Sequence, residues 1–163
     1  MLRVDQAGEY GATRIYAGQL AVLRRNCPES RLIARMASQE ERHLNRFNQL
    51  MADRRGRPTA LQPLWNAAGF ALGAATALMS EEAALACTDA VETEIDRHYR
   101  EQLSELGEDD PELAADIEEF RADEVEHRDT ARAAGATNAI GYPLLTAAIR
   151  AGCRVAIELS KRV

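Results

Sequence analysis

A chain of 163 residues with a formal net charge of −6 and three scattered cysteines excludes several classes at once. It has room for one domain with a sizeable core, residues 1–163, and not for two ordinary ones; it offers no basic surface for nucleic acid. Cys27, Cys87 and Cys153, odd in number and without a C-x-x-C, build neither a disulfide framework nor a zinc knuckle, which fits a reducing compartment.

Abundant Ala, Leu, Glu and Arg, with only five prolines near expected helix ends or in connections, favour an all-α fold. No secretory signal is visible, because a charged helical pattern begins at Arg3. The first helix is predicted from about Val4 to Asn26, with Glu9, Ala12, Tyr16, Leu20 and Leu23 on its inward stripe. The second, from about Glu29 to Arg54, steps by three and four through Ile33, Met36, Glu40, His43, Phe47 and Leu50. A glutamate and a histidine thus stand where a bundle wants leucine.

Residues 61–80, LQPLWNAAGFALGAATALMS, carry no charge. From Leu64 to Met79 a helix reaches only ~24 Å at about 1.5 Å per residue, short of a hydrocarbon core of about 30 Å. Insertion into one leaflet is therefore expected, with a buried crossover helix as the plainer alternative. A third bundle helix, about Glu81 to Leu106, places Leu85, Thr88, Glu92, Ile95, Tyr99 and Leu103 on one stripe. Asp110-Pro111 reads as an N-cap with proline at the first helical position, and the helix that follows to Ala134 carries Leu113, Ile117, Phe120, Glu124, His127 and Ala131. A last helix, residues 142–162, sets Leu145, Ala148, Gly152, Val155 and Leu159 on one side and Arg150, Arg154 and Lys161 on the other, the pattern of a helix in an anionic lipid interface or of one packed on the bundle with solvated arginines.

Two of these helices carry the same device. Glu40-Glu41-Arg42-His43 returns as Glu124-Val125-Glu126-His127, and each Glu-x-x-His pair lies on one helix face a turn apart. Glu9 precedes Glu40 by 31 residues and Glu92 precedes Glu124 by 32, so the whole register is duplicated. A lone E-x-x-H is usually a solvated pair; a duplicated one in apolar seams is not. Two helices giving one Glu and two giving Glu-x-x-His match the ligand set of a ferritin-like four-helix bundle with two metals, here with two added helices, one hydrophobic and one amphipathic. Two divalent cations balance Glu9, Glu40, Glu92 and Glu124, and neutral His43 and His127 complete a set that suits iron or manganese better than zinc or magnesium.

The runs RVDQAGEYGATRIYAGQLAVL, QEERHLNRFNQLM, PLWNAAGFALGAATALM, ACTDAVETEIDRHYREQL, FRADEVEHRDTA and AGCRVAIELS resemble the demethoxyubiquinone hydroxylases of ubiquinone biosynthesis. That resemblance implies a di-iron monooxygenase, with O2 as co-substrate, that converts a polyprenylated 5-demethoxyubiquinone to 5-demethylubiquinone. It makes Glu40 and Glu124 the bridging carboxylates, Glu9 and Glu92 terminal ligands, and His98 and Tyr99 candidates for electron or proton delivery. Gln6 and Arg128 stand where some members carry histidine, and neither removes a ligand. No G-x-G-x-x-G follows a strand, so electrons are expected from NADH bound otherwise or from a partner.

The resemblance further implies peripheral attachment to the cytoplasmic face of a bacterial inner membrane or the matrix face of the mitochondrial one, and a lipid-binding partner protein. A homo-oligomer is left open. Ligand spacing alone leaves three rivals: a ferritin-like iron store, a di-iron quinol oxidase and a manganese catalase.

Overall fold

The structure is a computed structural model and describes residues 1–162. Its helices are α1 (Leu2–Val22), α2 (Pro28–Asp53), α3 (Gln62–Met79), α4 (Glu81–Leu106), α5 (Pro111–Ala133) and α6 (Tyr142–Arg162), with a short 3₁₀ turn at Ala136–Asn138 before the last. No strand occurs among the described residues. Local chemistry sets the boundaries. Pro28 and Pro111 open α2 and α5, where a missing N–H costs nothing, and the Asp110 carboxylate and Ser80 hydroxyl accept from Leu113 N and Ala83 N. The first helix stops earlier than its periodicity predicts, at Val22: Leu23 is extended and Asn26 takes a φ of 65°, so the turn into Pro28 consumes the residues assigned to the helix.

α1 packs on α2, α4 packs on α5, and the two hairpins meet face to face to close a four-helix bundle. α3 then lies along α1 and α6 along α4, each hairpin followed by a helix that covers its own first member. The close seat of α3 depends on glycine. A Cβ on Gly73 would stand 1.9 Å from the Ile15 carbonyl oxygen, and one on Gly18 would stand 2.2 Å from that of Phe70. The backbones approach to a distance that no other residue permits.

The core seams of α2 and α5 run as the sequence predicts, every named residue being buried. α4 is buried almost all round its first half, Ala83 to Glu92, because four other helices surround it. No helix among the described residues is long and apolar enough to cross a membrane. One face of α3 is sealed against α1, while Leu64, Leu78 and Met79 remain exposed on the other.

Candidate metal centre and its cavity

The duplicated register brings all six predicted ligands to the middle of the bundle, none more than 2% exposed. α1 supplies Glu9, α2 supplies Glu40 and His43, α4 supplies Glu92, and α5 supplies Glu124 and His127. Their ligand atoms form two groups, each spanning no more than 4.8 Å: Glu9, Glu40, His43 and Glu124 in one, Glu40, Glu92, Glu124 and His127 in the other. Glu40 and Glu124 belong to both. Each carboxylate of that pair therefore reaches both halves of the cluster.

Both imidazoles turn Nδ1 inward. His43 Nδ1 lies 3.1 Å from Glu124 Oε1 and 3.5 Å from Glu9 Oε2, and His127 Nδ1 lies 3.1 Å from Glu40 Oε1 and 3.4 Å from Glu124 Oε2. Within the six residues, Glu9 Oε2, Glu92 Oε2, both oxygens of Glu40 and Glu124, and the two Nδ1 atoms are buried without a hydrogen-bond partner. Buried polar atoms of a folded protein nearly always find partners, so their convergence is what a pair of cations would satisfy.

The electrostatics agree. Burial pushes the Glu40 and Glu92 carboxyls well above the usual carboxylate range, and the neighbouring carboxylates add to it; burial raises Glu124 as well. Burial acts on Glu9 too, but the adjacent His43 imidazole outweighs it and lowers that carboxyl, while His43, despite burial, is raised to about 10 by the nearby Glu124 and Glu9 carboxylates. His127 is lowered by burial. Without cations the cluster collects protons, and a cation of either group displaces them.

Around the predicted ligands is a ring of groups of which only Tyr99 was expected from the sequence to have a role. His43 Nε2 is held 3.0 Å from Asp123 Oδ2, and His127 Nε2 lies 3.0 Å from Gln39 Oε1, so each imidazole is oriented by the residue just before the opposite clamp glutamate. Tyr16 donates its hydroxyl to Glu92 and Tyr99 donates its own to Glu9. Each tyrosine stands seven residues after the ligand glutamate of its own helix and serves the glutamate of the other. The signal was present: both pairs obey the same duplication as the ligands.

Gln6 and Arg128, noted as departures, lie outside the cluster; Gln6 donates to Asn48 at 3.2 Å and Arg128 reaches Asp96 at 3.3 Å. A second grouping of Cys27, Glu29 and Glu81 is only half-buried, with Cys27 Sγ capping α2 and Glu81 near Arg24.

Beside the cluster lies a cavity of about 560 Å³, floored by α1 and α4 and walled by α3 and α6. Glu9, His98 and Tyr99 open onto it, and the rest of its lining is chiefly aliphatic, including Ile15, Leu72, Val91, Ile95 and Ile149. At one end Trp65 Nε1 donates to Ser160 Oγ at 3.1 Å, tying α3 to α6.

The cavity corrects the expectation for α6. Its inward side is Leu145, Ile149, Cys153, Ala156 and Ile157, while Val155 and Leu159, assigned to the same stripe as Leu145, are exposed. Arg150 and Arg154 form no free cationic face either. They converge with Arg97 on the buried Glu94 at 2.8 to 2.9 Å and hold its carboxyl down at about 2 against the effect of burial. The helical wheel had the charges but not the carboxylate beneath them.

A model of the ubiquinone biosynthesis protein COQ7 family matches residues 1–160. The 3-demethoxyubiquinol 3-hydroxylase of Rhodospirillum rubrum is 56% identical over 162 residues, spanning 99% of this chain and 76% of its own length. The human mitochondrial NADPH-dependent 3-demethoxyubiquinone 3-hydroxylase is 52% identical over 167 residues, 100% and 76% of the two chains. The mitochondrial 5-demethoxyubiquinone hydroxylase of Saccharomyces cerevisiae is 44% identical over 179 residues, 100% and 77% of the two.

Proposed function

The chain belongs to the COQ7 family of ubiquinone biosynthesis proteins, and from that premise we propose that it hydroxylates the ring of a polyprenylated demethoxyubiquinone at a di-iron centre held by Glu9, Glu40, His43, Glu92, Glu124 and His127. The observation that carries the reading is the junction of the two features: the ligand Glu9 is also part of the cavity wall. A ring in the cavity lies against the cluster, and its aliphatic lining suits an isoprenoid chain.

The donor set fits two irons, and Glu40 and Glu124 would be shared between them because these two alone belong to both ligand groups. Bound there, the metals would supply the redox chemistry that splits dioxygen, one oxygen atom going to the ring and the other to water with two electrons from the reductant. The protein holds the ligands in register through Asp123 and Gln39, keeps the Glu9 and Glu92 carboxylates hydrogen-bonded through Tyr99 and Tyr16, and excludes water with the apolar lining. Tyr99 and His98, on the cavity side, are the groups proposed to pass protons and electrons. A reduced nicotinamide nucleotide is the proposed source; NADPH figures in the names of the mammalian relatives where NADH was expected for this chain. The substrate reaches the cavity between α3 and α6, from a membrane surface or from a lipid-binding partner protein.

The test is metal content together with product analysis. Purified protein is expected to hold about two irons per chain and, supplied with reductant and dioxygen, to convert a short-tailed demethoxyubiquinone to a hydroxylated ring; Glu40→Ala is expected to lose at least one iron and the product. Water formation from a quinol with no hydroxylated product points instead to an oxidase, and iron retained in full by Glu40→Ala removes the bridging assignment.

A further inference from the structure

The wall of the cavity carries a polar group that belongs to neither ligand group of the cluster. His98, on α4, lines the cavity and meets Asp5 of α1, with Nε2 3.0 Å from Asp5 Oδ1. The second oxygen of Asp5 accepts from Gln102 Nε2 at 2.8 Å. Asp5 and Gln102 are 2% and 3% exposed, whereas the His98 side chain keeps 13%. A carboxylate is costly in such a place unless both oxygens are bonded, and here both are.

This arrangement fixes the hydrogen on the imidazole. Turning the Gln102 amide over would set its oxygen against the carboxylate, so the amide donates. A carboxylate has only acceptors to offer, so His98 Nε2 carries the hydrogen that reaches Asp5. The other nitrogen, Nδ1, bonds no atom of the described residues. In the neutral ring it is a bare acceptor, with its tautomer imposed from α1.

The two redox forms of a quinone ring differ in what they show such an atom. A quinol presents O–H donors; a quinone presents carbonyl oxygens, which set lone pair against lone pair. Resting on the quinone reading of the cavity, the geometry points to Asp5 as a positioning residue that keeps the Nδ1 lone pair of His98 available to the cavity, so that His98 accepts a hydrogen bond from a ring hydroxyl and selects the quinol over the quinone. The selection lies in the ring's oxygen substituents and is independent of tail length.

The proton position is read directly by long-range ¹H–¹⁵N spectra of protein labelled in its imidazoles and loaded with zinc, which is diamagnetic, with His98→Ala identifying the signal. Anaerobic titration of wild-type protein with a short-tailed demethoxy ring in each redox state gives the selectivity. Wild type is expected to carry its hydrogen on Nε2 and to favour the quinol about fivefold, the worth of one buried hydrogen bond. In Asp5→Ala the imidazole loses the acceptor that holds its hydrogen on Nε2, so the tautomer is no longer imposed and the preference is expected to fall or vanish. His98→Ala, which leaves the Asp5–Gln102 bond in place, is expected to bind both forms alike and stands as an independent arm. A hydrogen on Nδ1 in the wild type, or a preference that survives His98→Ala, overturns the assignment. Wild-type protein that binds neither ring form fails the quinone reading of the cavity; wild-type protein that binds both equally fails this assignment alone.

Discussion

Tyr99 and Tyr16 occupy equivalent places in the duplicated register but not equivalent surroundings. Burial and the adjacent glutamate raise both phenols well above their usual range, so each remains a donor, Tyr99 to Glu9 and Tyr16 to Glu92. Only Tyr99 lines the cavity. Tyr99→Phe is therefore expected to retain its iron and to slow reduction of the centre by roughly tenfold, about 1.4 kcal/mol of barrier, while Tyr16→Phe changes the rate far less. Stopped-flow reduction of the two variants checks this, and equal rates for wild type and Tyr99→Phe remove the role. At this scale the six converging side chains were legible because a glutamate or histidine in an apolar seam breaks the hydrophobic pattern, and breaking it twice in one register is hard to produce otherwise. Asp123 and Gln39 were not, because polar residues beside a clamp look like ordinary surface until a second helix is placed over them.

Between helices, the contrast is sharpest at α6. Its heptad-like pattern correctly gave a helix at residues 142–162, but a wheel drawn on one helix cannot show what lies across the interface, and Glu94 of α4 draws in Arg150 and Arg154. The Glu94 side chain is fully buried and its folded-state pKa is about 2, below the ordinary value of 4.5. A depressed carboxylate pKa gives stability that is present above pH 4.5 and is lost as pH falls toward 2. Arg97, Arg150 and Arg154 are between 36% and 52% exposed, so solvent screens the pairs and the contribution is on the order of 2 kcal/mol. Glu94→Gln is expected to be less stable than wild type by about that amount near neutral pH, with the gap narrowing below pH 4.5 and roughly halved at pH 3. Urea unfolding at pH 7, 5 and 3 measures it; a gap independent of pH would assign the loss to packing.

For the whole molecule, the question is what the outer faces of α3 and α6 meet. Both helices wall the cavity with one side and leave the other to the outside, where Leu64, Leu78 and Met79 of α3 and Leu144, Val155 and Leu159 of α6 are 40% to 78% exposed. α3 carries no charge along its length. The bundle seals six polar side chains inside and leaves these apolar ones outside, the kind of patch from which contact with an apolar surface is proposed. The uncharged segment was legible from composition alone; its division into a face locked on α1 by Gly73 and a face left free was not, because that depends on how closely two backbones approach. If the free faces rest on a bilayer, the cavity between α3 and α6 opens toward the layer that holds a polyprenyl tail, and the substrate does not have to pass through water. Leu78 and Leu144 contribute roughly 1 to 2 kcal/mol each on burial in lipid. Wild-type protein is accordingly expected to float with liposomes of mixed anionic composition, and the double substitution Leu78→Glu with Leu144→Glu to lower that partition at least tenfold while the iron content stays unchanged, since neither residue touches the cluster. Wild-type protein that remains in the dense fraction would reassign both faces to a protein partner, and a double variant that floats undiminished would move the contact elsewhere on the surface.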